Sequence, residues 1–421
     1  MKIPNSKKTE EINKLINKKI SFYQIDNIFS AKEAAEIRRK AIEKITGVKF
    51  SSVGKFTFDS EVVSRKNCEN LIGGVQIPLG IAGPLKILGK YSKGDYFIPL
   101  ATTEGALVAS VNRGCKAINL SGGVKTEVEN IGMTRAPVFK INPKSKIQNT
   151  KQFVNFIDDN FGNITGICEE TSRHLKLLDI EPFFYKEEAV FLRFRFDTGL
   201  AMGMNMVTIA VNKACQFIEV VTGAKLVALS SNLCVDKKAS LINFNKGRGK
   251  RVKAEIVLSP ITLKEVLKTT AKDFFEVYRL KICVGSKLAG IIGQNGHTAN
   301  IIAAIFAACG QDLAHVSEAA IGATYCEKYK DDSLKLTVIL PDLPIGVIGG
   351  GTGISTQKEC LSMMGVSQRV LPGGTVGNLK TDCLKFAEII GGVVLAGEIS
   401  LIAALASRDL AKAHERLGRS K

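Results

Sequence analysis

Apolar and polar residues recur with a helical period over residues 31–45, and residues 7–19 form a polar amphipathic stretch. Residues 1 to about 48, rich in lysine and glutamate, are therefore expected to form a small helical element. The texture then changes. Over residues 69–84, short apolar runs are punctuated by Gly and Pro, which predicts short strands and tight turns. Residues 101–118 open with Ala-Thr-Thr-Glu-Gly and continue in small residues. This predicts a helix with Thr103 as N-cap and Glu104 in its first turn.

Residues 138–141 and 189–196 read as strands, the end of the second alternating apolar and charged side chains. A polar helix is expected near residues 150–161 and a long one over 205–221. That order suggests a small α+β domain inserted into a larger one. From residue 229 the glycine-rich apolar texture returns, with helices expected near 300–311 and 395–415 on either side of Gly346-Val-Ile-Gly-Gly-Gly-Thr-Gly353. The longest apolar runs are 301–309 and 389–406. The first is too short to span a bilayer. The second carries Glu398 and is interrupted by Gly391-Gly392, so both are expected to be buried segments of a soluble protein.

Composition narrows the function. The chain has 421 residues, enough for two or three domains, and its 45% hydrophobic and 23% charged residues describe an ordinary globular protein. Its formal charge of +18 favours polyanionic partners. The basic residues are spread out, with modest clusters at Lys246-Gly-Arg-Gly-Lys-Arg251 and at Lys144 and Lys146, and none is interleaved with stacking aromatics. Nucleic acid is not the expected partner; phosphorylated small molecules fit better. The ten cysteines form no CxxC pair, and Met1 is not followed by the apolar core of a signal peptide. Reduced, mostly buried thiols in a cytoplasmic protein are expected, with no metal.

Several charges stand among small residues: Glu104, the Asp236-Lys-Lys238 run after an apolar stretch, and Asp312 at the end of the 301–309 run. Each alone is read most simply as a helix cap or a solvated loop charge. As a set they suggest a shared acid–base network, because buried charge is costly unless paired or used. The glycine loop at 346–353 would let backbone N–H groups approach a phosphate or flat ring, although it is neither a Walker loop nor a GxGxxG turn. Ala201-Met-Gly-Met-Asn-Met206 offers an adaptable apolar surface with one amide, or simply a strand end packing into the core.

In this order, the segments resemble the catalytic region of 3-hydroxy-3-methylglutaryl-coenzyme A (HMG-CoA) reductases. The matching motifs are Glu69-Asn-Leu-Ile-Gly73, Ala101-Thr-Thr-Glu-Gly105, Gly132-Met-Thr-Arg135, Ala201-Met-Gly-Met-Asn-Met206, Asp236-Lys-Lys238, Gly310-Gln-Asp312, Gly346-Val-Ile-Gly-Gly-Gly-Thr352 and Lys412-Ala-His414. The likeness runs from about residue 50 to the end and is to the NADPH-using class I type. It implies an α+β, multi-domain architecture. A helical N-terminal domain (1–50) precedes a large α/β domain around a long central helix (51–136 and 229–421), into which a ferredoxin-like NADP-binding domain (137–228) is inserted. It also implies reduction of HMG-CoA to mevalonate with NADPH as co-substrate, in a cytoplasmic homo-oligomer. Residues 69–73 resemble a dimer contact, so a dimer at least is expected, possibly a tetramer, with active sites between subunits.

The resemblance also assigns residues. Lys237 stabilises the oxygen that turns anionic, Glu104 is the general acid, Asp312 links the two, and His414 protonates the departing thiolate from near the chain end. Arg135, Lys238 and Lys281, with Ser230, Asp236 and Asn300, bind the acyl substrate. Ser172 and Arg173 grip the 2′-phosphate of the cofactor, while Met202, Gly203, Met204, Asn205, Gly349, Gly350, Gly351 and Thr352 line its nicotinamide side. Leu200 departs from the aspartate usual in the family and puts cofactor contacts there in question. His297 admits a structural or a functional reading, His174 and His315 read as surface or core residues, and Ser420 as an ordinary tail residue. The rival readings are a catalytically silent CoA-binding protein, a nucleic-acid-binding protein, and a reductase preferring NADH.

Overall fold

The computed structural model describes residues 4–142, 146–186, 188–366 and 381–408. Helices Asn5–Ile16 and Ala31–Thr46 pack around Ile12, Leu15, Ile25, Phe29, Ile37 and Ala41. The second is capped by the Ser30 hydroxyl and ends at Gly47 in the left-handed conformation. Arg38 of this helix is 1% exposed and donates to the carbonyls of Phe22 and Leu71, and Arg39 donates to that of Ile72. The helical element thereby holds the 69–73 segment.

The strands are β1 (Leu79–Leu88), β2 (Lys93–Ala101), β3 (Lys125–Arg135), β4 (Val138–Lys140), β5 (Lys176–Tyr185), β6 (Ala189–Asp197), β7 (Lys225–Ala228), β8 (Arg248–Leu258), β9 (Ala323–Lys328) and β10 (Leu334–Leu343). β1 and β2 form a hairpin; the others form one sheet of order β7-β4-β6-β3-β8-β10-β9, with β5 on β6. β3 joins two halves. Its residues 125–132 pair with β8, and its last residues, Met133 to Arg135, pair with β6 after an irregularity at Asn130/Gly132. A Cβ on Gly132 would meet the Phe196 carbonyl oxygen at 2.7 Å, so the crossing requires glycine there.

In the smaller half, β4, two helices (Thr150–Asp159 and Phe161–Glu169), β5, β6, helix Met204–Thr222 and β7 follow in sequence with spatial order β7-β4-β6-β5. This is the ferredoxin-like split βαβ arrangement. It has its own core, including Phe139, Phe153, Phe194, Val207 and Ile218. The larger half packs on helix Asp382–Ala406, whose residues are almost all buried. By length and hydropathy this helix passes for a membrane span, but 83% of its apolar window lies inside the molecule.

Two sequence expectations are corrected. Gly391 and Gly392 do not interrupt the apolar run; the helix passes through them and begins at Asp382, not near residue 395. A Cβ on Gly391 would lie 2.4 Å from Val252 Cγ1, so glycine permits the close approach of β8 instead of breaking the helix. The helix expected over 101–118 instead spans Leu107–Leu120, because Ala101 ends β2 and Ala106 adopts a left-handed conformation (φ 71°). Thr103 is therefore not the N-cap, and Glu104 lies in the preceding turn, its N–H donating to Thr102 Oγ1 at 3.0 Å. All ten cysteines are unpaired and only Cys68 is exposed; burial pushes the thiols of Cys115, Cys168 and Cys326 up to about 12.

Candidate active site

Where β3 ends and β8 begins, five segments converge: Arg135, Arg248, the 230–238 loop, the start of helix Met204–Thr222, and residues 310–318. Arg248 is wholly buried. It donates through Nη1 to both Glu318 oxygens (2.9 and 2.8 Å), through Nη2 to Asp236 Oδ1 (2.9 Å), and through Nε to Thr134 Oγ1 (3.0 Å). Burial opposes its charge, but Glu318, Asp342 and Asp236 outweigh that and raise its pKa. Glu318, equally buried, also accepts from the Lys237 backbone N–H (3.1 Å), from Asn243 and from His315 Nδ1. Asp342 lies beside it. Burial first, then the Glu318 charge, pushes the Asp342 carboxyl well above the usual range.

Above this floor sits a half-exposed pair. Lys237 Nζ is 2.7 Å from Asp312 Oδ2, with the side chains 41% and 38% exposed, open enough for a ligand to reach both. Lys237 adopts φ 62°, a left-handed conformation uncommon for a side-chain-bearing residue, held by its N–H bond to Glu318. Burial alone would raise the Asp312 pKa. The hydrogen bond from Lys237, the Ala314 N–H and the charges of His315 and Lys237 outweigh it and hold the carboxyl below its ordinary range.

Beside the pair, Arg135 donates to Ser230 Oγ and to Thr208 Oγ1, each at 2.8 Å, and lies 3.8 Å from Asp236. Lys238 is exposed and reaches the Asp236 carbonyl at 3.2 Å. The structure thus brings Arg135, Ser230, Asp236, Lys237, Lys238 and Asp312 together. Glu104 belongs to a second node: Asn300 Nδ2 donates to its Oε1 at 3.2 Å and lies 3.5 Å from His297 Nδ1. Among the described residues, no hydrogen bond or ion pair joins Glu104 to Lys237 or Asp312 within the chain. Lys281, exposed on the π-helical segment Tyr278–Gly285, is not joined to the Lys237 group either. His414, Lys412 and Ser420 lie outside the described residues.

The residues expected at the cofactor also gather. Gly203, left-handed at φ 86°, opens helix Met204–Thr222, whose first residues are Met204 and Asn205. The glycine loop lies against this start: Val347 N–H donates to the Leu200 carbonyl at 2.8 Å, and Ala201 pairs with Ile348. A Cβ on Gly351 would meet the Gly310 carbonyl oxygen at 2.7 Å, so residues 349–352 pack against the segment that carries Asp312. Leu200 contributes through its backbone, while its side chain packs on the main core. Ser172 Oγ contacts Met206 Sδ at 3.6 Å, placing the Ser172–Arg173 turn at the same helix start, with Arg173 exposed.

Sequence reasoning missed the floor. In the sequence Arg248 stands within a modest basic cluster, and nothing in the pattern marks Asn243, Asp342 or Thr208. His315 is a core residue, as one of its two readings had it, but directly beneath the site. A carboxylate stranded in the small-residue run 312–322 was the one available signal for Glu318. Asp236, His315 and Glu318 have the spacing of metal ligands. Arg248 already bridges the two carboxylates, so a cation fills that space.

A family model for hydroxymethylglutaryl-coenzyme A reductase matches residues 34–419. A 3-hydroxy-3-methylglutaryl-coenzyme A reductase of Methanocaldococcus jannaschii is 50% identical over 97% of this chain and 98% of its own length. A reductase of Hevea brasiliensis is 37% identical over 97% of this chain and 70% of its own. In structure, the class II HMG-CoA reductase of Streptococcus pneumoniae, solved bound to NADPH, superposes with a TM-score of 0.64. That match covers 94% of this chain and 86% of that one at 16% identity, a likeness of fold. Such relatives make this chain an oxidoreductase. It belongs to the hydroxymethylglutaryl-coenzyme A reductase family.

Proposed function

We propose that the protein reduces (S)-HMG-CoA to mevalonate and free CoA in two successive hydride transfers from NADPH, serving the mevalonate route to isoprenoids in the cytoplasm. The observation that carries this reading is the half-exposed Lys237–Asp312 pair at 2.7 Å beside the Arg135–Ser230–Asp236 group. An acyl carbonyl seated against Lys237 develops negative charge at each reduction, and a fixed ammonium lowers both barriers. Asp312 holds that ammonium in place and in its charged form. Arg135 and Lys238 supply positive charge for the distal carboxylate of the acyl group, with Ser230 as hydroxyl partner.

The cofactor reading rests on fit. Arg173 is exposed and donates through Nε to the neighbouring His174 ring at 3.2 Å, leaving its terminal nitrogens able to pair with a 2′-phosphate. Ala201 pairs with Ile348, so residues 202–205 and 349–352 start side by side, and exposed Asn205, Gly349 and Gly350 leave room there for a flat ring. When bound, NADPH supplies the hydride. Assignment to the NADPH-using class I type draws on the 37–50% identity to the plant and archaeal relatives, against 16% to the class II enzyme.

Glu104, with Asn300 and Lys281, completes the site as acid and binding group from a second subunit. Two observations support this division: the Glu104–Asn300 node stands apart from Lys237 in the single chain, and apolar Val75, Ile77, Leu79 and Ile81 following the 69–73 segment are exposed. His414 would return the proton to the departing CoA thiolate. The small domain, residues 137–228, then carries the cofactor and the rest of the chain the substrate. The direct test is NADPH oxidation with HMG-CoA and identification of the product. Mevalonate with two NADPH consumed supports the reading; HMG-CoA bound without turnover leaves only the silent CoA-binding protein.

A further inference from the structure

Beneath the Lys237–Asp312 pair lies one imidazole that the mechanism above does not use. His315 is 0% exposed. Its Nδ1 bonds to Glu318, a carboxylate already engaged by Arg248 through both oxygens. A carboxylate only accepts, so Nδ1 carries a hydrogen. Nε2, on the other side of the ring, has no hydrogen-bond partner. It points between two acidic side chains, 3.7 Å from Asp312 Oδ2 and 3.9 Å from Asp236 Oδ1. That Asp312 oxygen is the one paired with Lys237 Nζ.

A neutral ring would turn the Nε2 lone pair toward two carboxylate oxygens. A second proton turns a donor toward both. The other charged or titratable groups facing this spot are Glu318 from the same short turn, Arg248 from β8, Asp342 from β10, Lys237 from the 230–238 loop and, beside Asp236, Arg135 from the end of β3. Arg248 answers Glu318 and Asp236, and Asp342 accepts from the Asn243 amide, which leaves Asp312 with Lys237 on one side and His315 on the other.

We propose that His315 is a positioning residue: a buried imidazolium that holds a proton between Asp312 and Asp236 and thereby fixes Asp312 as the charged partner of Lys237. It touches neither substrate nor cofactor and acts through Asp312. The imidazolium charge is among the influences that keep the Asp312 carboxyl below its ordinary range. Glu318 and Arg248 form the rigid base that aims the ring, much as the outer partners of a metal-bound histidine set its orientation and tautomer. The catalytic part of this inference rests on the proposed reductase function; the protonation part does not.

Two measurements on the full-length enzyme separate these parts. The first is histidine-selective 15N NMR, with the four histidines assigned by subtraction using single His→Gln variants. The expected result is a His315 ring protonated on both nitrogens at neutral pH, with signals that move in Asp312→Asn. A neutral His315 ring at neutral pH, or signals indifferent to Asp312→Asn, overturns the proposal whether or not the protein reduces HMG-CoA. The second is kcat and KM of His315→Gln across about pH 5 to 9. Glutamine keeps a polar group but carries no charge. Expected are a kcat lower by about tenfold, a KM for HMG-CoA near the wild-type value, and an acidic limb moved to higher pH. A reduced kcat with an unmoved pH profile would make His315 structural only. A wild type without reductase activity refutes the functional reading and leaves the NMR result to decide on His315.

Discussion

Two regions bury glutamate completely and satisfy it by opposite means. Glu388, on the Asp382–Ala406 helix, accepts from the backbone N–H groups of Lys90, Tyr91 and Ser92 and from the Ser92 hydroxyl. Glu398, on the same helix, accepts from the N–H groups of Gly296 and His297 and from Thr324. Both fasten loops to the core. Glu318 instead accepts chiefly from side chains, Arg248 and His315, and from one backbone group, the N–H of Lys237. Backbone donors carry no net charge and do not titrate, so the first arrangement holds loops in place without linking charges to one another. Charged side-chain partners connect the second to the half-exposed residues above it.

The comparison can be broken by substitution. Glu318→Ala leaves Arg248 buried without its main counter-charge, and breaking such a pair typically costs about 3–5 kcal/mol. Urea denaturation is expected to show a loss of that size together with loss of activity. Glu388→Gln places an NH2 group among donors and is expected to cost about 1–3 kcal/mol. Turnover should stay within about twofold of wild type, because this loop does not touch the site. A large kcat defect there would erase the distinction between the two kinds of buried glutamate.

Smaller effects sharpen it. Arg173→Ala removes an exposed guanidinium and is expected to raise KM for NADPH on the order of tenfold, the scale of one hydrogen bond to a charged group. KM for NADH should not move. The smallest effect is a pH dependence. The Asp312 pKa is lowered in the folded protein, so its contribution to stability is present above the unfolded value, about 3.9 for aspartate, and is lost as pH falls through the lower folded value. Wild type should lose stability faster than Asp312→Asn across that acidic window, as read from urea midpoints at stepped pH.

Much of the fold was legible because its patterns are local. Alternation in residues 189–196 and the helical run over 205–221 mark β6 and the helix after it, and the inserted α+β unit follows from their order. The central helix was legible as buried, but its start was not: a segment apolar on every side has no periodicity to date its first turn, and its glycines look like breaks until β8 is seen against them. At the site, Asp236, Lys237 and Asp312 stand out as charges among small residues, Arg135 and Ser230 come from motif likeness, and the structure brings all five together. Arg248 could not be read, because its burial depends on pairing between β8, β3 and β10, strands distant in sequence. Glu104 and Lys237 pointed to one network, whereas a single chain holds them in two.

In the proposed reaction the ammonium group of Lys237 meets the oxygen that becomes anionic in both reductions. The direct measurement is the rate of Lys237→Ala with HMG-CoA and with mevaldehyde, alongside circular dichroism to establish an intact fold. Loss of a fixed donor to an oxyanion typically lowers kcat about 10²- to 10³-fold, and a loss at least that large is expected for both substrates. A folded Lys237→Ala enzyme that reduces mevaldehyde at close to the wild-type rate would contradict it.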